Sequence, residues 1–253
     1  HPCQQRLAFE ELLAHTLSLQ QLRIATRRLP ATSLTNGEPL FDKLLAKLGF
    51  ALTGAQQRVI AELYRDLSKE QPALRLVQGD VGAGKTVVAA AALLTAVASG
   101  KQAAMMAPTE LLAEQHYLNF CQWLEPLGIR VGWVAGRVKG KQRREMLHEL
   151  ASGDIQIAIG THALFQSDIE FQSLALVVID EQHRFGVEQR AKLRVKGGRA
   201  EETETPHVIV MTATPIPRTI GLTIFGDLDI STIDELPPGR SPVVTKKVTR
   251  EQR

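Results

Sequence analysis

The chain has 253 residues, 44% of them hydrophobic and 23% charged, which is enough apolar content to bury at least one sizeable core. No apolar run approaches the roughly 20 residues that span a bilayer, and the opening HPCQQRLAFEEL lacks the basic-then-apolar order of a secretory signal, so a soluble cytoplasmic protein is expected. Cys3 and Cys121 have no Cys-x-x-Cys spacing, which excludes a disulfide framework or a cysteine metal cluster, and a net charge of +3 with pI near 9.0 leans only slightly toward polyanionic partners.

The first predicted element is a helix. RLAFEELLAHTLSLQQLRIATRR spaces Leu7, Leu12, Leu13, Leu17 and Leu22 among polar residues as one apolar stripe. LPATSLTNGEPLF then supplies proline, asparagine and glycine, which end the helix and begin a connecting segment. The stripe has nothing within its own segment to cover it, and the chain opens on histidine. Residues 1–50 are therefore expected to be a helical linker that follows a further segment.

From Leu74 onward, LRLVQ, AAMMAP, VGWVAG, IQIAIGT, LALVVID and HVIVMTAT alternate with helical stretches. Strands this uniformly apolar are buried on both faces, the mark of a mostly parallel sheet covered by helices. The predicted class is α/β, doubly wound. RVKGGRAEETETP before His207 reads as an exposed, solvated loop.

Between the first of these strands and an alanine-rich helix lies Gly79-Asp80-Val81-Gly82-Ala83-Gly84-Lys85-Thr86, which fits G-x-x-x-x-G-K-[ST] in the context that motif requires. The glycines let successive N–H groups turn inward around a phosphate, and the positive end of the following helix adds to that field. Lys85 is expected to face solvent and reach the β- and γ-phosphates of ATP, and Thr86 to offer its hydroxyl to Mg²⁺. A plain strand-to-helix turn would need neither the lysine nor the threonine. Downstream, LALVVIDEQH ends an apolar strand in Asp180 and Glu181, two acids at the carboxyl edge of the sheet. Asp180 is placed to hold Mg²⁺ and Glu181 to orient or deprotonate the attacking water.

DEQH resembles the DExH box of superfamily 2 helicases and translocases, and further segments follow that family's order. LTGAQ resembles its adenine-reading segment, which implies Gln56 at the base with Thr53 in support. APTELLAEQH and GTHAL resemble its strand-gripping motifs, which implies DNA contacts at Pro108, Thr109, Glu110, Gly160, Thr161 and His162. MTATPIPRT resembles its coupling motif, Thr212, Ala213 and Thr214, and the family pattern gives His183 a catalytic coupling role. GDVGAGKT, DEQHRFGVEQR, MTATPIPRT and IDELPPGRSPV, with RLAFEELLAH, are similar to the RecG family of bacterial branched-DNA translocases. The Mfd transcription-repair coupling translocases share the RFG and PPGR segments, but carry a bulky aromatic where this chain has Ala83 and no such leading helix.

The resemblance implies a RecA-like ATP-binding lobe over 51–240, with 1–50 leading from an amino-terminal junction-binding domain and 241–253 beginning the connection to a second RecA-like lobe. Forked or branched DNA is the implied partner, remodelled in recombination and repair. A nucleotide- or DNA-binding module without motor activity and a protein-directed ATPase are the competing classes. Arg137, Lys139, Lys141, Arg143 and Arg144 suit phosphate contacts or a solvated loop equally. Trp123, Trp133, His116 and Phe185 read as packing residues. Arg184 and Arg218 are the first suspects should a catalytic arginine lie within this sequence, and Arg218 otherwise suits DNA or the opposite lobe.

Overall fold

A computed structural model describes residues 2–49, 51–135, 140–166, 168–180, 204–214 and 228–237. Among the described residues seven strands form one sheet: β1 (Leu74–Gly79), β2 (Gln102–Met106), β3 (Val131–Val134), β4 (Ile157–Gly160), β5 (Leu174–Asp180), β6 (His207–Thr212) and β7 (Asp229–Ile233). Their order is β3-β4-β2-β5-β6-β1-β7, and every pairing is parallel. The doubly wound α/β class expected from the apolar runs is the fold observed.

The strands are apolar at every position because both faces are covered. Successive residues alternate between two cores, so Val77, Met105, Val178 and Ile209 enter one and Leu76, Ala104, Val177 and Val208 the other. The first core is roofed by α2 (Glu38–Leu48), α3 (Gly54–Leu67), α4 (Lys85–Ala98) and α5 (Glu110–Leu124). The second takes Met146 and Leu150 from α6 (Gly140–Ser152). α4 is apolar all round, and its residues Val87 to Ala96 are all buried between the sheet and the neighbouring helices. Its small alanines admit close neighbours. A Cβ on Gly37 would stand 2.1 Å from Thr95 Oγ1, so the chain entering α2 passes α4 as glycine.

The segment before α2 is stitched to the lobe. Leu34 is buried in the first core, Leu34 N donates to Leu67 O, and Thr205 N donates to Pro30 O. Buried His207 binds both sides of this seam: its Nδ1 accepts from Ala73 N at 3.0 Å, and its Nε2 donates to Thr32 O at 2.7 Å. The leading helix α1 (Pro2–Arg27) runs through the predicted stripe, and Leu7, Leu12, Leu13 and Leu17 are exposed along it.

One strand escaped the apolar-run criterion. β7, DISTI, is an edge strand whose buried Ser231 accepts from Arg75 Nη1 at 2.7 Å and donates to Glu62. Arg75 also binds Asp66, with Nε to Oδ2 at 2.8 Å, joining α3, β1 and β7. Burial pushes the Asp66 carboxyl up, but the bonds from Lys69 and Arg75 outweigh it and hold it below the ordinary carboxylate range.

Candidate nucleotide and nucleic-acid site

Five candidate segments leave the carboxyl edge of the sheet, and the strand order arranges them in a row. β4 delivers Gly160, Thr161 and His162. β2 next to it delivers Pro108, Thr109 and Glu110. Then come Asp180 at the end of β5, Thr212 at the end of β6 and the glycine-rich loop after β1. Gln78 is level with Thr212, and Asp180 with Met211, so β6 alone separates the acid from the loop. Two strand spacings are about 10 Å.

The loop from Gly79 to Thr86 is shaped by positive φ at Gly82 (79°) and Gly84 (82°), a conformation a Cβ resists. Asp80 bends back through Oδ1, which accepts from Val81 N at 2.7 Å, and Ala83 N donates to Asp80 O at 3.0 Å. Val81 and Gly82 are exposed, Ala83 is buried, and Lys85 and Thr86 begin α4 half-buried. Lys85 does not face solvent as expected. Its ammonium donates to Gly79 O at 2.7 Å and Asp80 O at 3.0 Å, because the inward turn of the loop aims carbonyls at the first turn of the helix. The same cation therefore holds the loop that the motif assigns to phosphate.

Thr53 and Gln56 form a capping box at the start of α3: Thr53 Oγ1 accepts from Gln56 N, and Gln56 Oε1 accepts from Thr53 N at 2.9 Å. Buried Gln56 also donates from Nε2 to Ala83 O at 2.9 Å, tying this helix to the loop. Two acids unassigned by sequence bind the first turns of α3. Glu235 Oε2 accepts from Ala55 N at 3.0 Å, and Asp234 pairs with Arg58 at 2.8 Å. Their positions in IDELPPGR lie far from α3 in sequence, which is why no local pattern marked them.

On the other half of the row, Thr109 is the N-cap of α5, its hydroxyl accepting from Leu112 N. Pro108 and Thr109 are exposed and Glu110 half-buried. Gly160 lets two backbones meet, since a Cβ there would stand 2.1 Å from Val134 O. Thr161 is buried and caps a short 3₁₀ turn, leaving His162 exposed beside it. Thr212 is buried, with its hydroxyl 2.9 Å from that of exposed Thr214 and half-buried Ala213 between them.

His116 corrects a sequence-based expectation. It is buried, as a packing residue would be, yet its Nε2 lies 2.7 Å from Asp180 Oδ2. Sixty-four residues separate the pair, so no spacing rule signals it. Arg143 also turns inward, pairing with Asp168 at 2.6 Å, whereas Lys141 and Arg144 stay exposed. Trp133 packs against Tyr117 with ring centroids 5.5 Å apart and planes tilted by 42°, and Trp123 against Phe120 at 5.5 Å and 60°, both against the first core. Glu181, His183, Arg184, Phe185, Arg218, Arg137 and Lys139 lie outside the described residues.

The donors fit a magnesium nucleotide. Among the described residues no cluster of three or more histidine, cysteine or acidic side chains could cage a metal. Mg²⁺ needs no such cage, since it takes one or two hard protein oxygens and completes its shell with phosphate and water. Thr86 and Asp180 are oxygen donors of that kind, and with Oδ2 of Asp180 engaged by His116, Oδ1 remains for a cation.

Comparison with known proteins agrees with this geometry. Residues 53–222 match the DEAD/DEAH box helicase family model. The chain is 56% identical over all 253 residues to the ATP-dependent DNA helicase RecG of Haemophilus influenzae and, equally, to that of Escherichia coli K12. It is 45% identical over 248 residues to that of Aquifex aeolicus. It spans 36% of the length of the first two and 31% of the third. A solved structure of RecG bound to a three-way DNA junction superposes with a TM-score of 0.83 at 40% identity, over 94% of this chain and 31% of that one. The DNA-bound helicase MrfA, at 17% identity and a TM-score of 0.58 over 81% of this chain and 31% of its own, shares the fold.

Proposed function

The chain belongs to the DEAD/DEAH box helicase family, and from that premise we propose that it is the first motor lobe of an ATP-driven translocase acting on branched duplex DNA. The observation that carries the reading is the row along one sheet edge. The glycine-rich loop, the acidic strand end and both candidate DNA segments leave neighbouring strands of one sheet, which supports the reading. The RecG relatives favour branched DNA over transcription-repair coupling, and such a protein works in the bacterial cytoplasm, where the chromosome is. Among the described residues no helix is long and apolar enough to cross a membrane.

In this reading the amides of Gly79 to Gly84 and the Lys85 ammonium bind the phosphates, with Asp80, Val81 and Ala83 setting the loop's curvature. Thr53 and Gln56 hold the adenine end. Thr86 and Asp180 would hold Mg²⁺, which supplies charge neutralisation between the phosphates. Glu181 orients the attacking water and accepts its proton, and His183 links that acid to the DNA side. Pro108, Thr109, Glu110, Gly160, Thr161 and His162 contact the DNA backbone, where amides and hydroxyls read no sequence. Thr212, Ala213 and Thr214, between acid and loop, transmit the nucleotide state.

The chain spans 36% of the length of the Haemophilus influenzae helicase and 31% of the Aquifex aeolicus one, and we assign the arginine that meets γ-phosphate charge to a second lobe. Such arginines are worth roughly 10³ to 10⁵ in rate. ATP turnover measured with and without a three-way junction tests this. Residues 1–253 alone are expected to hydrolyse at a barely measurable rate that the junction leaves unchanged. Joining the remaining length should produce junction-stimulated turnover. Robust stimulated turnover by 1–253, removed by Lys85→Ala, would place the arginine within this chain.

A further inference from the structure

We infer that His116 is a positioning residue for Asp180, and that through it the orientation of this acid depends on the placement of α5. The inference rests on the proposed reading of Asp180 as the Mg²⁺-holding acid.

His116 Nε2 stands 2.7 Å from Asp180 Oδ2, with the histidine side chain 11% exposed and the aspartate 13%. An ionised carboxylate only accepts, so the imidazole is the donor. In so sheltered a place the bond fixes one carboxylate oxygen and thereby aims the other. A ligating carboxylate gains its direction from such an outer partner, and losing the partner typically costs 10- to 100-fold in metal affinity or activity.

The partner sits on an informative element. α5 packs on β3 and β4 and buries Ala113, Phe120 and Leu124, while Asp180 ends β5, which lies beyond β2. His116 is the residue of α5 that reaches across to the acid. Seven residues before it, the same helix begins at Thr109, its N-cap, followed by Glu110. Two helical turns are about 10 Å, and residues seven apart share a helix face. A backbone phosphate engaging the exposed start of α5 therefore acts on the same helix that carries the contact to the carboxylate. The coupling is reciprocal by linkage: DNA raises Mg-nucleotide affinity by the factor by which Mg-nucleotide raises DNA affinity.

The test uses the full-length protein and a non-hydrolysable ATP analogue. The measured quantities are the Mg²⁺ concentration at half-maximal analogue binding, with and without three-way junction DNA, and the melting temperature. His116→Leu keeps the buried volume but removes the donor. It is expected to raise the Mg²⁺ midpoint by roughly 10- to 100-fold and to shrink the effect of the junction on that midpoint. His116→Gln, which places a donor on the same helix, is expected to recover most of both. A His116→Leu protein that melts as a folded protein yet keeps the parent's midpoint and junction effect overturns the inference. A folded His116→Gln protein whose Mg²⁺ midpoint lies roughly 10-fold or more above the parent's overturns it also, and this comparison with the parent stands if His116→Leu does not fold. Asp180→Asn separates the two levels. If it leaves the midpoint unchanged, the reading of Asp180 falls and the inference with it. If it raises the midpoint while His116→Leu does not, the inference falls alone.

Discussion

The side-chain amide of Gln56 donates to the backbone carbonyl of Ala83 at 2.9 Å, so α3 and the phosphate loop are one unit rather than two neighbouring segments. Gly84, the next residue, has φ of 82°, and a Cβ there would stand 2.2 Å from Gln56 Nε2. Gly84→Ala is expected to be destabilised by at least the roughly 1–2 kcal/mol of a left-handed non-glycine residue and to lose nucleotide binding. Adding Gln56→Ala should relieve the steric part and leave the backbone part. Equal melting temperatures for Gly84→Ala and the parent would contradict the geometry.

Lys85 carries two tasks in the structure. Because its ammonium donates to Gly79 O and Asp80 O, Lys85→Ala is expected to abolish Mg-ATP binding and also to weaken the loop. The two bonds set a stability loss of about 1–3 kcal/mol, taken at the usual 0.5–1.5 each. Calorimetric titration and thermal melting measure the two effects separately, and unaltered ATP affinity would remove Lys85 from the site.

The two adjacent acids should differ in kind. In the full-length protein, Glu181→Gln is expected to keep ATP and DNA binding while losing turnover, as befits a group acting on the attacking water. Asp180→Asn should in addition weaken the Mg²⁺ dependence of nucleotide binding. Turnover by Glu181→Gln at the parent's rate would mean that another residue activates the water.

His207 makes stability sensitive to mild acid. Burial pushes its pKa below the ordinary histidine value, against the opposing pull of the Thr32 carbonyl and of Asp66 and Glu204. Its Nδ1 accepts from Ala73 N, so a proton there would face another donor. The folded state therefore stays neutral at a pH where the unfolded chain, titrating near about 6.5, already takes up a proton. Stability is intact above that value and is lost as pH falls from it toward the depressed folded pKa. Urea midpoints are expected to fall between pH 7.5 and 5.5, and more steeply in the parent than in His207→Gln. Identical pH slopes would exclude His207 as the source.

Local chemistry made much of this legible in the sequence. Six of the seven strands announce themselves as apolar runs because a doubly covered sheet requires apolar side chains at every position. The phosphate loop is readable because its conformation needs glycines at fixed places and its ligand needs a lysine and a hydroxyl beside them. Thr53 and Gln56 stand out in the sequence only through the resemblance of LTGAQ, and their capping box is a finding of the structure, although its partners lie within one helical turn.

Tertiary structure alone decided the rest. The strand order sets Thr212 between Asp180 and the loop, and nothing in the succession of strands encodes it. Asp229–Ile233 becomes a strand although its polar residues disguise it, since Ser231 answers Arg75 and Glu62 on other elements. His116 finds Asp180 across 64 residues, and Glu235 caps α3 across 180. A polar contact between distant segments imposes one residue at each end and no periodicity along the chain, so it becomes visible only when the sheet brings the two ends together.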